Sequence, residues 1–183
     1  MIKADVNNIH WPYYLAFERD VENLARYIDF KESNYCTHSI ELARILLASS
    51  SEVDVLLKEI CKLIDPSQNP KNIDQYKELI KNDGQQFWNI GVESRRYGLH
   101  LKPWSNWAGE DNPEWWRTYN MVKHERSNYF QQANLQNTLN SLAALLVLNI
   151  EYAFRLLQSY NSGYPYELKH VISSLYPIST YLE

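Results

Sequence analysis

Glycine is scarce in this chain: five residues in 183 leave little backbone free to wrap a phosphate. Gly84, Gly91, Gly98, Gly109 and Gly163 never fall into Gly-x-Gly-x-x-Gly or P-loop spacing, and no Gly-x-Ser-x-Gly or His-Glu-x-x-His occurs. Cysteine is scarcer still. Cys36 and Cys61 show no Cys-x-x-Cys spacing and no nearby His pair, which excludes a disulfide framework and gives no zinc-ligand pattern; both read as buried thiols in apolar helical stretches. With no ligand spacing for a metal, none is expected. The most apolar run, Ala143 to Ile150, ends at Glu151 and is far shorter than the roughly 20 residues a bilayer span needs, so no membrane segment is expected. The N-terminus lacks the basic-then-apolar order of a signal peptide, which points to the cytoplasm. No strand-like alternation, hairpin dipeptide or internal repeat stands out.

Aromatic residues are plentiful instead. Fourteen Tyr and six Trp stand within a composition of 45% hydrophobic and 22% charged residues, a globular balance in which large rings must find both packing and partners for their polar tips. The length suits one domain, residues 1–183, with a core at about 13–158 and a C-terminal extension at 159–183. A formal charge of −4 argues against a protein that coats itself in nucleic acid. Charge is uneven, however: residues 95–126 hold six Lys/Arg against four acids, whereas the remainder is net acidic.

Helical periodicity dominates the chain. Apolar residues step by three and four from Tyr14 to Ile28, with Pro12 at a helix start. A second stripe runs unbroken from about Ser39 to Ile64, straight through the serines at 49–51, which favours one long helix. Asp65 to Pro70 is a loop, and a short helix is expected from about Ile73 to Asn82, stopped at Asp83-Gly84. Between Gln85 and Asn112 no period holds; this irregular stretch carries Trp88, Trp104 and Trp107. Asn112-Pro113-Glu114 reads as N-cap, first-turn proline and first-turn acid of a helix from Trp115 to about Tyr129. A last long helix spans Leu135 to Leu157 and is ended by Asn161-Ser162-Gly163, with a weaker helical piece at Glu167–Leu175. The fold expected is all-α: an antiparallel helix bundle of about four to five main helices, with a Trp-rich irregular segment before the penultimate long helix.

Chemistry concentrates on that helix. At about 100° per residue, Arg117 and His124 lie roughly 20° apart around the axis, with Asn120 between them, while Trp115, Tyr119, Val122 and Tyr129 take the opposite face. A cation, an amide and an imidazole in a row suit a phosphate and a proton transfer. Any solvated helix face can show these residue types. The polar stripe of this face holds no Glu or Lys, and the helix lies in the only net-basic section of the chain. Glu52 and Asp54, beside the serine run, are candidates for a polar insertion facing it.

An all-helical chain of this size with Arg117, six intervening residues and His124 resembles the HEPN superfamily, whose hallmark is Arg, four to six residues, then His. Members are commonly dimeric, metal-independent ribonucleases of toxin–antitoxin, phage-defence and RNA-processing systems; others are non-catalytic binding or scaffold modules. The resemblance maps only Arg117 and His124 onto the motif, as catalytic residues; Asn120, Lys123 and Arg126 of the same segment are the candidate substrate contacts. It also implies a homodimer, no cofactor, RNA as ligand and a protein partner such as an antitoxin. The residue after the motif arginine is usually Asn, Asp or His in active members; here it is Thr118, for which Asn120 is the candidate substitute. The rival reading is a non-catalytic interaction module using the Trp-rich segment 85–116 as its contact surface.

Overall fold

The computed structural model describes residues 9–160; the expected terminator at 161–163 and the helical piece at 167–175 lie outside them. The described chain is mostly helical: α1 (His10–Leu24), α2 (Ile40–Ile64), α3 (Ile73–Asn82), α4 (Glu114–His124), α5 (Arg126–Tyr129) and α6 (Leu135–Tyr160), with one hairpin of β1 (Val92–Ser94) and β2 (Leu99–Leu101).

α2 is a single helix, as its stripe implies. Ser39 caps it by accepting from the Leu42 N–H at 3.1 Å, and of the serines inside it Ser49 and Ser50 are buried while Ser51 faces outward. The Ser49 hydroxyl donates to the Ile45 carbonyl and meets the Ser141 hydroxyl of α6 at 2.8 Å, so this polar group crosses the core without being stranded. α3 keeps the expected limits and starts from an Asn72 cap.

α2 and α6 form the centre of the molecule, and they run in the same direction. The Leu135 N–H donates to the Thr37 carbonyl, the Thr138 hydroxyl to the Leu42 carbonyl, Ser141 meets Ser49, and Arg155 lies near Cys61, so the contacts advance together along both helices. This corrects the antiparallel expectation for the central pair: residues 65–134 form a long return that brings the chain back to the starting end. α1 does run against α2, with His10 at Glu52 (2.5 Å) and Asp20 at Arg44 (2.7 Å).

The eight-residue run at 143–150 understates α6. Its stretch Leu135–Leu156 is long and apolar enough, by length and composition, to cross a membrane, but 78% of its apolar window is buried inside the protein. Here it is the core helix. Of the two cysteines, only Cys61 is buried, with burial pushing its thiol up to about 12; Cys36 sits exposed in the turn before α2, correcting the expectation for it.

The irregular segment differs from expectation in holding the hairpin. Gly98, at φ +62°, permits the turn that pairs Val92 with Leu101 and Ser94 with Leu99. Three-residue strands are too short to register as alternation. Around the hairpin the rings close the core: Trp104 and Trp107 are fully buried and 4.6 Å apart between centroids, and Trp104 meets Trp115 edge-on at 5.3 Å. All six Trp are buried, so the Trp rings of this segment are part of the core, while many of its polar residues remain exposed.

Candidate functional site on the outer ridge of α4

α4 is held by its rings. Trp115, Trp116, Tyr119 and Val122 are buried, and the Trp115 indole N–H donates to the Pro103 carbonyl at 2.8 Å. The start differs from the sequence reading: Pro113 is the residue before the helix and Glu114 its first member. The Asn112 side chain caps nothing. It accepts from the Trp107 indole (3.2 Å) and donates to Asp74 (2.7 Å), tying the irregular segment to α3. The end differs too. Glu125, at φ −134° and ψ 51°, breaks the helix after His124 and starts α5, so Tyr129 belongs to a separate turn.

With the rings anchored, Arg117 and His124 fall on an exposed outer ridge. Arg117 has a side chain 67% exposed and one weak partner, Glu114 of the preceding turn at 3.3 Å. This acid one turn away qualifies the expectation that the polar stripe lacks Glu. An exposed pair of this kind is worth about 0–1 kcal/mol, so it leaves the guanidinium available to a stronger anion. The side chain of His124, the last residue of α4, makes no hydrogen bond among those of the described residues. Arg126 follows it, exposed, at the start of α5.

A cleft lies on each flank of the ridge. On one side Asn120 and Lys123 line a cleft of about 280 Å³ with Asp54, Lys71, Trp116 and Tyr119. Asn120 donates its amide N–H to the Trp116 carbonyl one turn back at 3.0 Å, and the Lys123 ammonium lies over the Tyr119 ring at 5.3 Å. Asp54 therefore faces the helix as anticipated. It accepts from Lys58 and from the Tyr76 hydroxyl (3.1 Å); burial, with Asp54 beside it, pushes the Tyr76 phenol up. Glu52 faces α1 instead, where it accepts from His10.

On the other side Glu114 and Thr118 line a cleft of about 490 Å³ walled by side-chain amides. Thr118 is buried, and its hydroxyl accepts from the Asn137 amide of α6 at 3.3 Å. An amide thus stands beside Arg117 from another helix, whereas Asn120, the candidate substitute for Thr118, sits on the opposite flank. Sequence reasoning missed this wall, although the signal is present: seven Asn and Gln occur between residues 128 and 140. Among the described residues no group of three or more His, Cys, Asp or Glu is placed to hold a metal ion.

The ridge can therefore present one guanidinium, one imidazole and two further cations to an anionic chain, with hydrogen-bonding clefts on both sides. In comparisons with known protein families, curated proteins and solved structures, the chain matches none.

Proposed function

We propose that this protein is a HEPN-like RNA-binding protein that cleaves single-stranded RNA without a metal, using Arg117 and His124 from two copies of the chain brought together at the α4 ridge. The observation that carries the reading is that the two motif side chains share one exposed ridge and, among the described residues, the His124 side chain has no hydrogen-bond or ion-pair partner and Arg117 has only its weak pair with Glu114. Groups held ready in this way suit recognition better than packing.

In the proposed reaction the ribose 2′-hydroxyl attacks the adjacent phosphorus, and the P–O5′ bond breaks. A 2′,3′-cyclic phosphate and a 5′-hydroxyl result. Arg117 neutralises charge growing on the non-bridging oxygens, and His124 of one copy takes the 2′ proton or returns one to the leaving oxygen. Lys123 and Arg126 hold neighbouring phosphates. One helix offers one Arg and one His, so a second copy supplies the other half of the acid–base pair.

Two measurements test this together. Purified protein incubated with single-stranded RNA in excess chelator is expected to yield cyclic-phosphate ends. Light scattering is expected to give twice the chain mass of 21.7 kDa. A monomer that leaves every RNA intact contradicts the proposal.

A further inference from the structure

The amide-walled cleft has a chemistry distinct from the ridge it borders. Asn106, Gln132 and Gln136 line it with no side-chain hydrogen bond among those of the described residues, so their donors and acceptors are all unspent. Other amides around it are built into the wall. The Asn134 side-chain oxygen Oδ1 accepts from the Asn137 backbone N–H at 3.0 Å, and the Asn137 amide donates to Thr118 and, at 3.0 Å, to the Gln132 carbonyl. The Asn140 amide donates to the Gln136 carbonyl at 2.9 Å. Charge is sparse, with one Lys, Lys102, against one acid, Glu114. The one aromatic in the lining, Trp115, is only 2% exposed and cannot serve as a stacking platform. A neutral wall rich in paired donors and acceptors suits an uncharged heterocycle with its own donor–acceptor edge. At about 490 Å³ the cleft is within the size range of small-ligand sites. Its rim residue Glu114 is 3.3 Å from the Arg117 guanidinium, so a group in the cleft lies next to whatever Arg117 holds.

We propose that this cleft takes one unpaired nucleobase of the RNA bound at the ridge and reads its edge through Asn106, Gln132 and Gln136. The inference rests on the RNA reading above and adds base selectivity to it. Single-stranded RNA is commonly read on exposed base edges. Here hydrogen bonding supplies the reading without stacking, so a base whose edge matches the amides gains hydrogen bonds that a mismatched edge does not.

The test is fluorescence anisotropy of full-length protein with labelled oligo(A), oligo(C), oligo(U) and an abasic ribose-phosphate oligomer of equal length. One homopolymer is expected to bind at least about tenfold tighter than the abasic strand, in line with a bidentate base contact. Combining Asn106→Ala, Gln132→Ala and Gln136→Ala is expected to erase that preference while leaving the salt dependence, which reports phosphate contacts, unchanged. Circular dichroism checks that the variant is folded. Equal binding of the abasic strand and all homopolymers, or a preference that survives in the folded variant, overturns the cleft proposal and leaves the RNA reading standing. Failure of the wild-type protein to bind any of the four strands overturns both.

Discussion

Residues 85–116 and the outer ridge of α4 are neighbours in sequence, and both mix aromatic with polar residues. The first turns its rings inward: Trp88, Trp104, Trp107, Trp115 and Trp116 are all buried, and several indole N–H groups are tied to backbone or amide oxygens. The second turns its polar groups outward, leaving Arg117, Lys123, His124 and Arg126 exposed. The difference teaches that the rings of the irregular segment serve packing. The hairpin and the turns around it wedge those rings against the core, and the exposed cations lie on the regular helix.

The largest effect that could break this contrast is at Trp104. It is fully buried and donates to the Ala144 carbonyl at 3.2 Å, so Trp104→Ala is expected to cost about 3–5 kcal/mol of stability in denaturant titration. A loss below about 1 kcal/mol, the range of ordinary surface changes, would mean the segment is not core. A smaller effect is expected at the seam between the two regions. Thr118→Val removes the acceptor of the Asn137 amide and is expected to cost about 0.5–1.5 kcal/mol by urea midpoint, because that amide retains the Gln132 carbonyl. The smallest effect belongs to the ridge. Glu114→Gln is expected to change stability by less than about 1 kcal/mol while strengthening RNA binding by up to roughly fivefold, as Arg117 loses its competing anion. Weaker RNA binding after that change would count against a free guanidinium on the ridge.

Much of the helical layout was legible because local signals and packing agree. The stripe through Ser49–Ser51 and the limits of α3 follow from short-range pattern. What was not legible depends on partners distant in sequence. Asn112 looks like an N-cap, but the Trp107 indole and Asp74 claim its side chain. The parallel course of α2 and α6 follows from the whole return through 65–134, which no periodicity encodes. The break at Glu125 defies a helical stripe that continues to Tyr129. Of the candidate residues, Arg117 and His124 could be placed on one face from spacing alone. Asn120, expected between them, lines a flank with Lys123 instead, while the opposite amide wall comes mainly from the start of α6.

The central claim is that the α4 ridge acts chemically and contributes little to the fold. The direct measurement is cleavage of single-stranded RNA by wild-type, Arg117→Ala and His124→Ala proteins, each paired with its thermal midpoint. Both side chains are exposed and the buried rings of α4 are untouched, so stability is expected to shift by no more than about 0.5 kcal/mol. Loss of a positioned acid or base is expected to slow cleavage by about 10²–10⁴-fold. Cleavage that persists unchanged in the His124 variant, or a His124 variant that unfolds like Trp104→Ala, would contradict the account.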